Sequence, residues 1–504
     1  MKKLLLGAVI GALIAGIGLY VYQRIGPRAT PSGPVDTAES SLAAASKGKT
    51  DVGAALRNIK MAGTILTVKN GESIQDAVTK AKPGDTIQVM PGLYKETVYI
   101  DKDNIAIIGV IDKGAWPVMD GERKLNDAIL YSGSGIRIEN MKIVHYKGNA
   151  IMGQAGNNFV IRYNWIVDTG VYGIFPQFGK NGLVEYNVIS GIEDAAIYIG
   201  MCDNIQVSNN EVFASVAGIE IENSRHAIVE HNLVYNNAGG ILTFITPGLP
   251  IKTTFDVIIR DNFVVDNNHK NFGAPGSIVS GVPSGTGIIV MAADDVQIED
   301  NIIRGNKNAG IIIADHKSFA NITIDPESDP SPDRVSIFRN FFANNGYEPI
   351  DDVKALMALN LTKQGPDVLA IGDGSGSCIN NRGAVKALNM NNWPDCKKTS
   401  SRDIVSHLLP EPAPTRVMGA MEQHELGPRL FNGVCAGCHA YNVRMIGPPT
   451  QIIQAMYADN PQGIADYIAN PVKKRDDFPA MPSQGHLSEA QRLAVAKYML
   501  EIKQ

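Results

Sequence analysis

The stretch IRYNWIVDTGVYGIFPQFGKNGLVEYNVI, residues 161–189, contains one six-residue pattern twice. The pattern consists of an apolar residue, two variable positions, asparagine, one variable position and a second apolar residue. Asn164 and Asn187 are the two asparagines of this stretch. Five further copies follow along the chain, with the asparagines Asn210, Asn232, Asn262, Asn301 and Asn340.

The spacing between successive asparagines is about 23 residues at first and lengthens to about 39 residues at the end of the repeat. Each unit has short β-rich runs separated by glycine, which is typical of one coil of a parallel β-solenoid. An asparagine at the same turn of every coil can stack on the next and satisfy buried amide groups. The pattern predicts an inward asparagine ladder, with insertions near residues 245–254, 270–286 and 316–333.

Residues 70–100, NGESIQDAVTKAKPGDTIQVMPGLYKETVYI, begin with a short amphipathic helix that has Ile74, Val78 and Ala81 on one face. With the repeat, this segment resembles the right-handed parallel β-helix repeat proteins of the pectate-lyase-like superfamily. The resemblance implies a mainly β fold, with a parallel β-helix over residues 61–346 and the helix covering its first end. It leaves function open, because this architecture hosts lyases, hydrolases, epimerases and non-enzymatic scaffolds.

The N-terminal residues differ in composition from the repeat. Residues 1–25 start with Lys2 and Lys3 and continue with an apolar run over residues 4–22, long enough for a transmembrane helix that anchors the chain. A cleaved signal peptide is the alternative. Residues 26–60 are rich in Ala, Ser, Pro and Gly and are predicted to be a flexible linker. Both interpretations export the chain, which is then a single-pass protein of the bacterial inner membrane with its bulk in the periplasm, or a soluble periplasmic protein.

Two segments separate the repeat from the C-terminal part. Residues 347–400 are predicted to be the C-terminal segment of the β-helix, and their Cys378 and Cys396 favour a disulfide in an oxidising compartment. Residues 401–424 contain several prolines and are predicted to be a linker. Cys202 is expected to be a buried thiol of the β-helix. A formal net charge of −5 without basic bias argues against a nucleic-acid partner.

The segment VCAGCHAYN, residues 434–442, carries Cys435 and Cys438 with two residues between them, followed directly by His439. This C-x-x-C-H spacing suits covalent haem attachment, but a redox dithiol and half of a zinc site share it. A zinc site needs two more nearby thiolates or imidazoles, and the sequence offers no convincing set. A thioredoxin-like motif needs a βαβ setting, which is absent, so haem is the favoured interpretation.

Residues 425–504 resemble a class I cytochrome c along their whole length, with ELGPRLFNGV before the motif and RMIGPP, FPAMPS and SEAQRLAVAKYMLEIK after it. The resemblance implies a small all-α domain with one covalently bound haem c. It assigns the thioether bonds to Cys435 and Cys438 and the proximal iron ligand to His439. It also assigns the distal ligand to Met481, and to Pro448 the carbonyl that orients the proximal imidazole.

The same resemblance predicts that the first and last helices of this domain cross, with Gly427 and Phe431 near Tyr498. Met445 is rejected as the distal ligand, because it lies only six residues beyond His439 and would not reach the opposite haem face. Ligation by methionine and histidine leaves no open coordination position, which indicates electron transfer rather than oxygen or peroxide chemistry.

The β-helix gives a weaker signal for chemistry, and no catalytic residue is predicted in it. Glu220 and Glu222 point to the same side of one strand, with Asp194 and Glu193 one coil earlier. These residues could bind calcium or a glycan, but a solvated strand face is the preferred interpretation. His226 and His231 are likewise interpreted as surface imidazoles rather than a metal-binding pair, which gives these side chains no predicted role.

A possible outward column of mostly apolar side chains runs along the predicted strands. Such a column suggests a docking surface for the C-terminal domain or another protein, unless the inside–outside phase is wrong by one residue. Its members are Met152, Phe175, Tyr198, Glu220, Leu242, Ile289 and Ile312.

Taken together, these patterns predict a membrane-anchored periplasmic electron carrier rather than a stand-alone enzyme. In this interpretation the β-helix is a scaffold for a partner or a glycan, and the haem exchanges electrons with a dehydrogenase, an oxidase or another cytochrome. A polysaccharide-active lyase, hydrolase or epimerase with an attached redox module is one alternative. A structural subunit of a respiratory complex is the other.

Overall fold

The computed structural model describes residues 52–503, except 276, 319–321, 323, 381–382, 391, 398–399, 402–422, 437, 443, 445–446, 476–477, 479 and 486. The predicted anchor, residues 1–25, and most of both predicted linkers lie outside the described residues. Within the described residues, no helix combines the length and the apolar character that crossing a bilayer requires.

Three parallel sheets make up the β-helix, and from β2 to β31 the chain passes through sheets A, B and C in turn. Sheet A consists of β1 (Ile65–Val68), β2 (Thr86–Val89), β5 (Ala106–Gly109), β8 (Arg137–Glu139), β11 (Phe159–Arg162), β14 (Lys180–Glu185), β17 (Asp203–Ser208), β20 (Arg225–Glu230), β23 (Phe255–Arg260), β26 (Asp294–Glu299), β29 (Ser336–Phe338) and β32 (Cys378–Ile379). Sheet B consists of β3 (Gly92–Tyr94), β6 (Pro117–Asp120), β9 (Lys142–Val144), β12 (Trp165–Val167), β15 (Val188–Ser190), β18 (Glu211–Phe213), β21 (Leu233–Tyr235), β24 (Phe263–Val265), β27 (Ile302–Arg304) and β30 (Phe341–Ala343). Sheet C consists of β4 (Val98–Ile100), β7 (Ile129–Tyr131), β10 (Ile151–Gln154), β13 (Tyr172–Gln177), β16 (Ala195–Gly200), β19 (Ala217–Glu222), β22 (Gly239–Phe244), β25 (Thr286–Met291), β28 (Ala309–Ala314), β31 (Val368–Ile371) and β33 (Ala387–Leu388).

The interior of the coil is filled by stacked aliphatic side chains in register. In sheet C, Ile174 of β13 pairs with Ile197 of β16, which pairs with Ile219 of β19, and all three are fully buried. Because successive strand residues point to opposite faces, every second residue of these strands belongs to the core. The sequence repeat therefore produces one continuous apolar core along the helix axis.

The predicted asparagine ladder is present at the turn between sheets A and B. Asn187 donates from Nδ2 to Asn210 Oδ1 at 3.0 Å and to the Ile161 carbonyl of the preceding coil at 3.0 Å. Its own Oδ1 accepts from the backbone N–H of Asn164 at 3.1 Å and from Asn164 Nδ2 at 3.0 Å. The same bonds continue to Asn340, so the ladder satisfies buried amides coil by coil.

A second ladder, which the repeat pattern did not reveal, lies five residues after the first in the four coils that contain Asn237, Asn267, Asn306 and Asn345. Asn237 donates from Nδ2 to Asn267 Oδ1 at 3.0 Å, and Asn306 donates to Asn345 Oδ1 at 3.1 Å. Asn267 bridges the two pairs with a 3.3 Å bond to Asn306 Oδ1. The sequence could have predicted this second ladder, because its asparagines are separated by the same numbers of residues as the last four asparagines of the first ladder.

One helix packs on the side of the β-helix, and two further helices and a disulfide lie near its first and last coils. Helix α1 (Val52–Arg57), within the segment predicted as a linker, packs Leu56 against sheet A. Helix α2 (Ile74–Lys80) is capped by Ser73 and covers the first coil, as predicted. Helix α3 (Asp351–Leu359) precedes the last strands, and Cys378 and Cys396 form the predicted disulfide there. Cys202 is a buried free thiol, as expected.

The C-terminal domain is all-helical in its regular structure. It consists of α4 (Gln423–Leu430), a π-helical turn (Phe431–Cys435), α5 (Thr450–Met456), α6 (Pro461–Ala469) and α7 (Glu489–Glu501). Helices α4 and α7 cross where a Cβ on Gly427 would lie 2.8 Å from Tyr498 Cβ, and the rings of Phe431 and Tyr498 are 5.6 Å apart. The predicted crossing is confirmed, and it needs a glycine because the two backbones approach so closely.

Candidate haem site and the outer face of sheet C

A cavity of about 1080 Å³, which includes its opening to solvent, lies among the helices of the C-terminal domain. Cys435, Cys438, His439 and Met481 all line it, so the structure brings the predicted haem-binding side chains to one cavity. Most of the remaining wall is apolar, including Ile452, Ile453, Ile464, Ile468 and Phe478.

His439 is held in one orientation by the backbone. Its Nδ1 donates to the Pro448 carbonyl at 2.7 Å, since a carbonyl only accepts, and Nε2 is left as the nitrogen with a free lone pair. Burial lowers the pKa of His439, against a smaller opposing effect of the Pro448 bond, which favours the neutral imidazole. Gly447 lies against the ring, where an added Cβ would be 2.3 Å from Cε1.

The two thiols are placed by a tight turn after the π-helical segment. The backbone N–H groups of Cys438 and His439 both donate to the Cys435 carbonyl, at 3.0 Å each. Cys435 and Cys438 are free thiols in this turn. Two thiols, a neutral imidazole and a thioether in one apolar cavity form a donor set that fits a covalently attached haem with histidine and methionine ligands.

The segment that carries the C-x-x-C-H motif, residues 431–439 (the haem-attachment turn), contacts the β-helix. Tyr99 and Phe178 of the β-helix pack against the apolar core of the C-terminal domain, and β10 contacts the π-helical turn. Burial raises the pKa of Cys438 to about 12, and Asp127 and Asp194 of the β-helix add to that shift. Cys438, which keeps partial exposure, therefore lies on the side of the C-terminal domain that is near these two carboxyls of the β-helix.

The predicted outward column lies on the outer face of sheet C, with the predicted phase. Met152, Phe175, Tyr198 and Leu242 belong to an apolar cluster that is separate from the core of the coil. The column is buried, because Val279 and Val282 pack on this cluster and the π-helical turn contacts β10. Both valines belong to the connection between β24 and β25, residues 266–285, which contains the insertion predicted near 270–286 (the 266–285 insertion). The structure thus places the haem-attachment turn and an insertion on the surface that the sequence predicted for docking.

The interpretation of Glu220 and Glu222 as a solvated strand face is wrong, since their exposed fractions are only 3% and 7%. The hydroxyl groups of Tyr198 and Thr246 both donate to Glu222. Glu220 lies between Asp194 and Glu222 and forms no hydrogen bond with any described residue. These residues are buried because the layers over sheet C come from segments remote in sequence, so strand alternation alone could not show it.

Burial is the main cause of the electrostatics of this acidic group. It raises the pKa of Asp194 to about 8, with a further contribution from Glu222 and an opposing hydrogen bond from Tyr172. Burial also raises the pKa of Glu220 well above its ordinary value, and Asp194 and Glu222 increase the shift. For Glu222, burial raises the pKa while the bonds from Thr246 and Tyr198 oppose it.

Two amides on the same face were missed by the sequence analysis. Gln154 and Gln177 stand in register two residues after the outward column, and each has an exposed fraction of 1%. Neither the amide oxygen nor the amide nitrogen of Gln154 has a hydrogen-bond partner, and the amide oxygen of Gln177 has none. Extending the column by two residues along each strand would have identified both side chains.

The histidines of the neighbouring sheet show no metal-binding arrangement. His226 Nδ1 lies 2.6 Å from Asp203 Oδ1, and His231 lies 3.9 Å from a carboxylate oxygen of Glu230 and of Asp261. In the part of the chain that the structure describes, no group of three or more His, Cys, Asp or Glu side chains is arranged to hold a metal ion.

Two family profiles match the chain. The profile described as "Right handed beta helix region" matches residues 123–246, and that described as "Cytochrome C oxidase, cbb3-type, subunit III" matches residues 422–499. Among curated proteins, none matches the chain.

Several solved structures are similar to the β-helix. They include the A-module of the mannuronan C-5 epimerase AlgE6 of Azotobacter vinelandii, with 14% identity and a TM-score of 0.43 over 60% of this chain and 80% of that one. Another is DFA-IIIase from Arthrobacter chlorophenolicus A6 in complex with GF2, with 11% identity and a TM-score of 0.39 over 58% and 84%. The periplasmic alginate epimerase AlgG has 14% identity and a TM-score of 0.35 over 66% and 84%.

At these scores the fold assignment rests on the strand pairing and the family profiles, and nothing about activity follows from the similar structures. The chain carries a right-handed parallel β-helix region and, at its C-terminal end, a cytochrome domain that implies covalently bound haem c.

Proposed function

We propose that this protein is a periplasmic electron carrier with a single haem c, joined to a β-helix that positions it for a redox partner. The observation that carries the proposal is the shared cavity of Cys435, Cys438, His439 and Met481, with the His439 imidazole fixed by the Pro448 carbonyl. Bound there, the haem would supply reversible one-electron chemistry.

The chain's own residues would hold the haem and set the environment of its iron. Cys435 and Cys438 would keep the haem covalently attached, which prevents its loss in an extracytoplasmic compartment. His439 and Met481 would both ligate the iron, which would leave it no position for a substrate. The apolar wall limits water access, and the Pro448 carbonyl fixes the imidazole tautomer.

The partner would be a dehydrogenase, an oxidase or another cytochrome. We further propose that residues 1–25 anchor the protein in the bacterial inner membrane, so that the haem domain acts close to membrane-bound partners. The Cys378–Cys396 disulfide supports an oxidising compartment such as the periplasm.

The test is expression of the full chain with a cytochrome c maturation system, followed by denaturing electrophoresis with haem staining and by absorption spectroscopy. The expected result is one covalent haem per chain with the long-wavelength band of methionine sulfur on ferric haem. Cys435→Ala with Cys438→Ala should abolish the covalent stain, and Met481→Ala should abolish only the sulfur band. A Met481→Ala spectrum identical to the parent would overturn the ligand assignment.

A second candidate function is recognition or modification of a polysaccharide on the outer face of sheet C. The observation in its favour is the set of buried polar groups without partners, namely Glu220, the amide of Gln154 and the amide oxygen of Gln177. Binding of defined uronate or neutral oligosaccharides, measured by calorimetry on the full chain, tests it. If the protein instead co-purifies with oxidase subunits and binds no oligosaccharide, it is a structural subunit of a respiratory assembly.

A further inference from the structure

We propose that Asp194, Glu220 and Glu222 form a proton-binding site that takes up a proton when the haem domain is reduced and releases it on oxidation. The proposal rests on the proposed function and adds a coupled proton to the electron. On reduction, an electron from the redox partner enters the haem, and a solvent proton converts one carboxylate of the site to a carboxylic acid. Oxidation reverses both steps, so charge and atoms balance.

The first support is the position of the site beneath the haem-attachment turn. Asp194 is one of two β-helix carboxyls near enough to Cys438 to raise the pKa of its thiol, the other being Asp127. The thioether bond to Cys438 would attach the macrocycle at that sulfur. A charge on the haem and a charge on Asp194 would therefore lie close together, where solvent screens their interaction less than it screens distant surface charges.

The second support is a set of hydrogen bonds and one aromatic contact that together join the site across three strands. Tyr172 of β13 bonds to Asp194, and its ring lies 4.8 Å from that of Tyr198 of β16. Tyr198 donates to Glu222 of β19 and is itself hydrogen-bonded by Gln177. The site still has hydrogen-bond acceptors without a donor, since the Gln177 amide oxygen and Glu220 have no hydrogen-bond partner among the described residues.

The third support is the absence of a compensating cation among the described groups that act on the site. The carboxyls of Asp194, Glu220 and Glu222 act on one another, and the other titratable groups acting on them or facing the turn are Tyr172, Tyr198, Asp127 and Cys438. No Lys or Arg acts on the three carboxyls. A buried group of like charges without a cation is neutralised by protons.

Proton entry and the working pH range also follow from the structure. Asp194 keeps partial exposure at the edge of the face, whereas Glu220 and Glu222 are buried, so solvent protons reach the site through Asp194. Its pKa is raised to about 8, mainly by burial, so its protonation state changes near neutral to mildly alkaline pH. A deprotonated site stabilises the oxidised haem, and the midpoint potential must therefore fall as the pH rises through this range.

The experiment is a spectroelectrochemical titration of the full-length haem protein between about pH 6 and pH 10. We expect the midpoint potential to decrease around pH 8, with a slope of at most about 59 mV per pH unit, the value for one proton per electron. In Asp194→Asn and in Glu220→Gln the decrease should be lost or displaced along the pH axis. Proton uptake on photoreduction, measured with a pH indicator in weakly buffered solution, should fall in parallel.

Glu193→Gln is the matched control, because Glu193 is the exposed neighbour of Asp194 in the chain. It should retain the pH dependence of the parent. Identical pH dependence in the parent, Asp194→Asn and Glu220→Gln would overturn the proposal, and so would an equal loss in Glu193→Gln. A chain that attaches no haem would instead refute the proposed electron-carrier function, while normal haem spectra in the variants show that they are folded.

Discussion

Polar side chains are buried both in the asparagine ladder and on the outer face of sheet C, but the two regions differ in whether the buried amides have hydrogen-bond partners. In the ladder, Asn187 donates to Asn210 Oδ1 and to the Ile161 carbonyl and accepts two bonds from Asn164. On the outer face, Gln154 is buried to the same degree with no hydrogen-bond partner for its amide. Buried amides with partners build the coil, whereas those without partners point to a role beyond folding.

The difference reflects how each region is assembled. The ladder is internal to a repeat, so each coil supplies the partner that the next one needs. The outer face is covered by groups from remote segments, namely the 266–285 insertion and the haem-attachment turn, which pack on it with apolar side chains. Apolar side chains packed on this face exclude water from its polar groups without offering them hydrogen bonds. The pKa values of titratable groups on the face are therefore shifted.

The largest expected effect is on the ladder. Asn232→Leu removes bonds from Asn232 Nδ2 to the Val207 carbonyl and Asn262 Oδ1, and it leaves the Asn210 N–H groups without an acceptor. Since each unpaired buried group costs about 1–3 kcal/mol, the free energy of unfolding should fall by about 4 kcal/mol or more. Urea denaturation followed by far-ultraviolet circular dichroism measures the change.

Asn58→Ala is the control for this variant, because Asn58 is exposed and bonds only to the Ala54 carbonyl. Its effect should stay within about 0.5 kcal/mol. A small loss in Asn232→Leu would show that the ladder is dispensable, and the contrast with the outer face would then disappear.

The next effect is the pH dependence of stability contributed by Asp194. Its pKa is about 8 in the folded protein, above the ordinary value of 3.8 expected in the unfolded chain. Between these values the folded state holds a proton that the unfolded state releases, so stability falls as the pH rises and becomes constant above about pH 8.

The expected decrease is about 2 kcal/mol between about pH 5 and pH 8, below the limit of one full proton because Asp194 is partly exposed. Asp194→Asn should flatten this part of the curve of unfolding free energy against pH, whereas Asp351→Asn, an exposed carboxylate of α3, should leave it unchanged. A parent protein whose stability rises with pH across this window would contradict the assignment.

The sequence alone predicted those parts of this contrast in which a residue contacts its own copy in the next coil. It did not predict the parts in which the contacting residue comes from a segment remote in sequence. The period of the repeat predicted the ladder, because each asparagine meets its copy one coil away. The phase of the outward column also followed from the alternation of strand residues. The crossing of α4 and α7 at Gly427 and the grouping of the haem-binding side chains followed from the motifs of a known family.

The burial of Glu220 and Glu222 did not follow from the sequence. A strand residue that points outward is solvated unless another layer covers it, and no local pattern records that layer. Val279 and Val282 belong to an insertion in a later coil than Glu220, and Cys438 belongs to the C-terminal domain. Only the three-dimensional arrangement shows that these segments meet over sheet C.

The smallest effect provides the sharpest comparison, because replacing a buried amide by an apolar side chain of similar size should change the unfolding free energy in opposite directions in the two regions. Gln154→Met replaces an amide by an unbranched apolar side chain of similar shape. Since the Gln154 amide is buried without partners, its removal should stabilise the protein by about 1 kcal/mol. Asn187→Leu is the corresponding replacement of an amide by an apolar side chain of similar size in the ladder, where it should destabilise by several times that amount, by about 3 kcal/mol or more.

Both free energies are measured by urea denaturation on the haem-loaded full chain, so that the turn over sheet C is in place. A destabilised Gln154→Met variant would mean that the amide has a partner in the loaded protein, and β10, which contacts the haem-attachment turn, would then belong to the haem-domain interface. A stabilised one would mean that the amide is retained against its folding cost. Retention of a destabilising polar group is the mark of a functional surface, which is the conclusion that the unpaired Glu220 supports independently.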